Sequence, residues 1–545
     1  MKKTRLTLWL LAMSSAILLS IPWLVPHTGI IALVGFVPLL CAEEIATGAG
    51  IKRFWIWHYS TFVVWNALTT FWVCNATVGG GIFAVLANAL QMSLVFGLFR
   101  LSRRHLGGSV PYIFLAVTWI AWERWYLTSA QISWPWLVLG NAFAQSTSSV
   151  QWYSITGTLG GSLWVWAANL SIYGMLACVA SGRWHEWLHR TRVSAAVGTV
   201  LVLAGPLLAS SIMYGSYREQ SEGKVDVLIG QPNFDPYQKF TSMTQSQQND
   251  VLLDLYSNAI QPADSNAEIL FLAPETFTGG VVLDHMQESI SIRAFEHFLQ
   301  GYPNSTMLFG ASTYEIFNTR SAPSLLATPY GDGWICSHNS AMTVNAAGSL
   351  ELYHKSKLVV GTELTPYPKV FVPLDDWLCR TFKVPGPMMA RCIGQDEVSL
   401  LHMNNHGEVV PLGCAVCYES VYGEYCTEYV RKGARAMTVI TNDAWWGDTP
   451  GYRQHLSYSR LRAIELRRDI ARCGNTGISC FIDQKGDILS CTDWWQPATL
   501  RGSVNLNSRK SFFAEHGDMV GRVCTLAFLL LLALVVVRLF MQKRK

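Results

Sequence analysis

Long apolar runs, nearly free of charge, recur along the first 215 residues: 6–25, 29–42, 54–74, 81–99, 110–121 with a continuation to 127, 160–181 and 193–214. Most approach the ~20 residues a helix needs to cross a hydrocarbon core, and together they predict seven membrane spans. Pro22, Pro26 and Gly29 punctuate the first of them, so it reads as two helices with a short turn between. An eighth run lies far away, at 523–539. The first run also fits a cleaved signal peptide, because Lys2, Lys3 and Arg5 precede it, although no clear small-x-small site follows. From Lys224 onward the pattern becomes short β-branched or apolar runs at 225–230, 269–273, 307–311, 341–344, 409–416, 437–441 and 478–482. Polar stretches with helical spacing, such as 250–260 and 452–472, separate several of them. That alternation predicts an α+β or α/β layered domain of about 300 residues, large enough for its own core.

Charge sharpens the division. Residues 1–215 hold 12 Lys+Arg, four Glu and no Asp, whereas the remaining 330 residues hold 62 charged side chains. Two solvents are implied, which excludes a single soluble domain and a disordered chain. The net charge of +4 is too small to suggest nucleic acid as a partner. The predicted organisation is a membrane domain at 1–215, an outer domain at 216–517, and a final span with a basic tail at 518–545.

Basic residues are retained on the cytoplasmic side of a membrane, and here they occupy alternate loops. Lys2, Lys3 and Arg5, then Lys52 and Arg53, then Arg100, Arg103 and Arg104, then Arg183, Arg190 and Arg192 mark one side; the loops between, including 129–159, have none. This places both termini in the cytoplasm and 216–517 outside it. Arg522, at the outer end of the last span, is read as snorkelling to the headgroups. Glu123 and Arg124, in the outer half of the fifth span, read either as a helix-end pair reaching the headgroups or as groups that help a lipid headgroup enter.

Thirteen cysteines are present, nine of them in the outer domain, so pairing in an oxidising compartment leaves at least one thiol free. Cys414 and Cys417 have CxxC spacing without a second such pair, which argues against zinc, and no metal or cofactor is expected. Cys379 and Cys392 are one candidate disulfide among several that the spacing leaves open.

Three segments at strand ends carry chemistry: Ala273-Pro274-Glu275-Thr276, Tyr353-His354-Lys355-Ser356-Lys357, and Cys414-Ala415-Val416-Cys417-Tyr418-Glu419. Singly, each has an ordinary structural explanation: a buried thiol, a solvated lysine, a first-turn glutamate. Together they resemble the Glu-Lys-Cys triad of the nitrilase (carbon–nitrogen hydrolase) superfamily. The match extends through Thr441-Asn442-Asp443-Ala444-Trp445-Trp446-Gly447-Asp448, Gln454-His455-Leu456, Arg460-Leu461-Arg462-Ala463-Ile464-Glu465 and Arg472-Cys473-Gly474-Asn475-Thr476-Gly477. Behind seven spans and ahead of an eighth, this series is similar to the apolipoprotein N-acyltransferases of bacterial cytoplasmic membranes, as is Pro135-Trp136-Leu137 with Leu139-Gly140. Where that family usually has Lys-x-His-Leu-Val-Pro-Phe-Gly-Glu, this chain reads Lys355-Ser356-Lys357-Leu358-Val359-Val360-Gly361-Thr362-Glu363, and Phe240 stands where the family tends to have Trp.

The resemblance implies a fold, an αββα sandwich joined to an α-helical membrane domain, and a reaction. An acyl chain would pass from the sn-1 position of a phospholipid, typically phosphatidylethanolamine, to the α-amino group of a diacylglyceryl-Cys apolipoprotein, with the enzyme a monomer. It implies Cys417 as nucleophile, Glu275 as base, and Lys355 with the Tyr418 backbone N–H on the oxyanion. Glu363 and Glu419 either hold loops or pair with Arg, or else position Lys355 and Glu275. Asn442, Phe240, Trp445 and Trp446 read as substrate-facing, the two tryptophans as core aromatics or as a mobile lid. Two other readings compete: a membrane-anchored amidase in which water resolves the thioester, and a transporter or receptor whose outer domain only binds ligand. Seven spans exceed what an anchor needs, and nearly charge-free spans disfavour transport. A degenerate scaffold is disfavoured by the complete triad.

Overall fold

The computed structural model describes residues 2–186, 188–239, 241–384 and 386–543. Among them, six helices are long and apolar enough to cross a membrane: Lys2–Leu24, Gly29–Gly48, Val78–His105, Thr158–Ala180, His189–Ser216 and Met519–Gln542. The runs expected at 54–74 and 110–127 also fold as helices, Trp55–Thr70 and Val110–Thr128. The first has only 16 residues, and the second carries Glu123, Arg124 and three tryptophans, so length and composition single out six spans rather than eight.

The second span is broken: a 3-10 turn, Gly29–Val34, precedes the helix Val37–Gly48. A break inside a bilayer needs partners for its freed backbone groups. Asn169 supplies both, accepting from Phe36 N at 2.7 Å and donating to Ala32 O at 2.8 Å. Around this break the bundle is filled by aromatic rings, with Phe36 stacked on Trp166 at 4.3 Å and edge-on to Trp119 at 5.3 Å.

After residue 216 the described residues form fourteen strands: β1 Lys224–Gln231, β2 Ile269–Leu272, β3 Thr278–Val282, β4 Thr306–Phe317, β5 Thr328–Tyr330, β6 Gly333–Asn345, β7 Leu350–His354, β8 Leu401–Asn405, β9 Glu408–Val416, β10 Ala436–Thr441, β11 Ile470–Gly474, β12 Cys480–Ile482, β13 Ile488–Cys491 and β14 Ala498–Asn505. They make two sheets, one in the order β14-β1-β2-β4-β6-β5 with β3 on β4 and β7 on β6, the other in the order β13-β12-β11-β10-β9-β8. Side chains alternate across each strand. Val225, Val227 and Ile229 of β1 therefore join a core with Leu412 and Cys414 of the second sheet, while Leu228 turns outward onto Leu252 and Ile292 of the helices Gln245–Ala259 and Ile290–Leu299. With Gly423–Arg431 and Pro450–Leu466 covering the other sheet, the layers run helix, sheet, sheet, helix.

The expected helix 452–472 is instead the helix Pro450–Leu466 followed by β11. Arg467 adopts left-handed backbone (φ +51°) and ends it, and the chain returns to pair in parallel with β10. This helix is buried on nearly all sides, because it is clamped between the second sheet and the membrane domain. Trp136 Nε1 donates to Gln454 Oε1 (2.7 Å), Gln454 Nε2 to Trp23 O (3.0 Å), Tyr458 OH to Trp136 O (2.7 Å), and Thr158 Oγ1 to Glu465 Oε1 (2.6 Å). Buried polar side chains of a helix thus meet buried polar groups of the bundle and leave few unpaired.

Three expectations are corrected. Glu123 does not reach toward headgroups: it is fully buried and accepts from Trp119 Nε1 (3.0 Å) and Leu139 N (2.8 Å), tying the fifth expected span to the loop after it. Arg522 pairs with Glu424 at 2.7 Å instead of snorkelling. All thirteen cysteines are free thiols, including Cys379 and Cys392. Cys379 turns to Gly386 O, while the backbone of Cys392 is held by Glu363 O, so the two are engaged on different segments.

Candidate active site

Four strand ends converge between the sheets. Glu275 follows β2, Lys355 follows β7, Cys417 follows β9, and Asn442 and Asp443 follow β10. Two of these turns are strained: Thr276 has φ +47° and Cys417 has φ +52°, conformations costly for residues with a Cβ. The first is held from below by β4, where Gly310 N donates to Pro274 O (3.1 Å) and where a Cβ would lie 2.5 Å from Glu275 Cα. Only glycine permits that approach. The second is held through its carbonyl, which accepts from Ser420 Oγ (2.7 Å) and lies 3.1 Å from His455 Nε2.

Lys355 is 1% exposed, with its ammonium 2.9 Å from both Glu275 Oε1 and Glu363 Oε1. Asn339 Nδ2 bridges the same two oxygens at 2.8 and 2.6 Å. Burial pushes the Lys355 ammonium toward loss of its proton, but Glu275 and Glu363 outweigh it and hold the group well above the ordinary lysine value. Among the described residues Glu275 Oε2 takes a single hydrogen bond, from the backbone N–H of Asn442 at 3.2 Å, and so keeps room for another proton. Burial, then the charge of Glu275, push the Cys417 thiol well above its ordinary value, with Lys355 opposing. The resting site is therefore a neutral thiol beside an ion pair, and the thiol needs a base at the moment of attack.

The altered loop 359–363 closes as a tight turn: Glu363 N donates to Val359 O (2.9 Å), and Val359 N to Glu363 Oε2 (2.8 Å). Glu363 therefore keeps its contact with Lys355 without Pro-Phe-Gly. Glu419 is fully buried and touches neither Glu275 nor Lys355; it holds their frame, accepting from Ser356 N (2.7 Å), Val416 N (2.8 Å) and Tyr353 OH (2.6 Å). Tyr418 stacks on Trp134 at 6.0 Å and donates to Ser133 O (3.2 Å), anchoring the residue after Cys417 in the membrane domain.

The two tryptophans separate. Trp446 lies among Trp72 (4.6 Å), His455 (5.5 Å) and Trp136 (5.7 Å), a fixed seat between the domains. Trp445 is 36% exposed and meets Tyr237 edge-on at 5.4 Å. Phe240 lies outside the described residues.

Four groups to which the sequence assigned no role take part in the site. Asn339, a polar residue within a buried strand, shares the carboxylates. Lys239, whose amine burial lowers to about 8 against the pull of Glu275, donates to Thr276 O beneath the strained turn. His455 and Arg472 flank Asp443, with His455 Nδ1 2.8 Å from Asp443 Oδ1 and Arg472 Nη2 2.7 Å from Oδ2. An arginine inside the apolar strand Ile470–Gly474 was the visible signal of a buried ion pair. Cys417, Asp443 and His455 also offer metal-type ligand atoms within 4.8 Å of one another, but the Asp443 and His455 atoms are committed to each other, to Arg472 and to the Cys417 carbonyl.

Burial pushes Asp443 up, yet His455 and Arg472 outweigh it and hold its carboxyl at about 2, against an ordinary 3.8. A depressed carboxylate stabilises the fold above its unfolded value, and that stability is lost as pH falls through about 2. Asp443→Asn is thus expected to cost at least about 2 kcal/mol at neutral pH, a difference that shrinks below pH ~4, as read by denaturant unfolding across pH. A difference unchanged by acid would remove this electrostatic account.

The carbon–nitrogen hydrolase family model matches residues 238–512, and the model of the apolipoprotein N-acyltransferase N-terminal domain matches residues 15–171. The chain is 28% identical over 518 residues to the apolipoprotein N-acyltransferase of Chlorobaculum tepidum, covering 92% of this chain and 91% of that one. It is 25% identical over 541 residues to that of Geobacter metallireducens, covering 95% and 93%, and 27% identical over 418 residues to that of Pasteurella multocida, covering 75% and 72%.

Proposed function

Because the chain belongs to the carbon–nitrogen hydrolase family, we propose that it is an apolipoprotein N-acyltransferase working through a thioester on Cys417. The donor is a membrane phospholipid, phosphatidylethanolamine the first choice, and the acceptor is the α-amino group of a diacylglyceryl-Cys apolipoprotein. Glu275 takes the thiol proton as sulfur attacks the sn-1 ester carbonyl, and the Lys355 ammonium and the Tyr418 N–H stabilise the oxyanion. Collapse breaks the ester C–O bond, and the proton on Glu275 passes to the departing lysophospholipid hydroxyl. The acceptor amine, losing a proton to Glu275, then attacks the thioester. The amide forms, sulfur leaves, and Glu275 returns the proton to it.

The observation that carries this reading is the seating of the site. The helix Pro450–Leu466 presents His455 to the Cys417 carbonyl and, from the same turns, Gln454 and Tyr458 to Trp23 and Trp136 of the membrane domain. A hydrolase of small soluble amides gains nothing from locking its nucleophile to a helical bundle; an enzyme whose substrates both arrive from a bilayer does. The protein works as a monomer in a bacterial cytoplasmic membrane, with 1–215 and 518–545 as membrane parts, 216–517 on the periplasmic side and both termini in the cytoplasm, an orientation that the alternating basic loops support.

The test is intact mass spectrometry of the purified protein after incubation with phosphatidylethanolamine. A hydroxylamine-labile acyl adduct is expected, stable in buffer and discharged by a diacylglyceryl-Cys peptide to its N-acyl form. Discharge at the same rate by water alone would make the enzyme a hydrolase and sink the transferase reading.

A further inference from the structure

Thirteen thiols are distributed over the fold, and the paired strands of the described residues bring just two of them directly opposite one another: Cys480 of β12 and Cys491 of the edge strand β13. In an antiparallel ladder, opposed residues alternate between hydrogen-bonded and non-hydrogen-bonded pairs, and the second kind brings side chains closer. Thr492 N donates to Ser479 O at 2.9 Å, so the neighbouring pair is hydrogen-bonded and Cys480/Cys491 falls in the closer class. Its expected Cα separation, about 4.5 Å, lies inside the range that a disulfide spans. Both side chains share one face. Phe481 points to Gly502 of the first sheet, so alternation turns Cys480 and its partner to the opposite face, toward the helix Pro450–Leu466.

We propose that Cys480 and Cys491 are a disulfide-forming pair that closes in the oxidising compartment outside the cytoplasm; the compartment, though not the pairing, rests on the orientation proposed above. Exposure sets the order of events. Cys491 is exposed and Cys480 fully buried. The Cys491 thiolate attacks the disulfide of a small or protein oxidant, releasing one thiol and forming a mixed disulfide. The Cys480 thiolate then attacks the Cys491 sulfur and releases the second thiol. Two protons leave the pair, and its two electrons reduce the oxidant.

The bond has a structural use. Residues 483–487 between the two strands dock on the membrane domain, where Gln151 Nε2 donates to Lys485 O (2.8 Å) and Tyr214 OH donates to Asp487 Oδ2. Among the described residues no strand pairs with β13 on its outer side, and a cross-link to β12 prevents that edge from fraying and loosening the docking turn. Cys417 stands apart from this reaction, buried at the end of β9.

Full-length protein is extracted from membranes with N-ethylmaleimide and no reductant, and its peptides are mapped before and after reduction; a second sample is purified reduced and equilibrated with glutathione disulfide. The expected result in both is one linked peptide pair containing residues 480 and 491, lighter by two hydrogens and lost on reduction, with Cys417 still open to alkylation. Cys491→Ala leaves acyl transfer unchanged and lowers the thermal midpoint to that of reduced wild type. If glutathione disulfide yields no such link while Cys491 accepts maleimide, the pairing is overturned. If the link forms with glutathione disulfide but both thiols are free at extraction, the pairing stands and the outer placement of the domain is overturned.

Discussion

Cys417→Ala is expected to lower acyl transfer by about 10⁴-fold or more while leaving the protein folded and in the membrane. In the proposed mechanism Cys417 is the nucleophile, the one group whose loss removes the covalent route, and what survives is the binding and oxyanion stabilisation that the remaining site offers to direct attack by the amine. The fold should hold because alanine retains the Cβ, so the φ of +52° costs what it did before, and because Ser420 and His455 grip the carbonyl rather than the sulfur. Cys417→Ser should fall almost as far, since its hydroxyl is a far weaker acid for Glu275 to deprotonate. The measurement is N-acylation of a diacylglyceryl-Cys peptide beside the thermal midpoint of each variant. Retention of more than about a tenth of the rate in the alanine variant would mean that another group carries the acyl chain.

Lys355→Met should cost the most stability of these changes and should lower activity as well. The ammonium lies 2.9 Å from each of two carboxylates, and deleting it leaves Glu275 and Glu363 facing one another with only Asn339 between them. Breaking a buried pair in this way costs roughly 3–5 kcal/mol, and the missing oxyanion cation costs about another 10²–10³ in rate. Because Lys355 is held well above the ordinary lysine value, its contribution is present in full below about pH 10 and is lost only as pH rises through the still higher folded value. The wild type should therefore show no loss of this pair across neutral pH, whereas the variant should gain stability on acidification as one orphaned carboxylate takes up a proton. Combining Lys355→Met with Glu363→Gln should return stability without activity. Lys355→Arg should rescue neither, since a planar guanidinium does not fit a point between two carboxylates. Unfolding across pH, together with transfer assays, separates these outcomes. A methionine variant as stable as wild type would show that the triad lysine is not charge-paired in the folded protein.

Much of the architecture was legible because its signals are local. Charge-free runs near the bilayer length and the short apolar or β-branched runs of strands such as β1, β2 and β10 are written in consecutive residues. The helix Pro450–Leu466 was harder to delimit, because a helix buried on all sides carries no amphipathic stripe and its end depends on Arg467 adopting left-handed backbone. The six-versus-eight difference in span count has a similar origin. Trp55–Thr70 is short and Val110–Thr128 carries Glu123, Arg124 and three tryptophans, yet much of each is buried against other helices, so neighbours supply what composition lacks.

The chemistry divides along the same line. The sequence by itself carried the change from long apolar helices to a layered α/β part, the strand ends bearing Glu275, Lys355 and Cys417, and the family to which they belong, because each is a matter of composition, period or contiguous motif. Only the tertiary structure decided that Asn339 shares the carboxylates, that Asp443 is braced by Arg472 and His455, that Glu419 holds backbone rather than charge, that Trp446 is a seat while Trp445 stays exposed, and that Cys480 faces Cys491 while Cys379 and Cys392 stay apart. Each of those facts is a contact a few ångströms long, several between residues far apart in the chain, and a linear pattern carries no information about which distant groups will share one desolvated space.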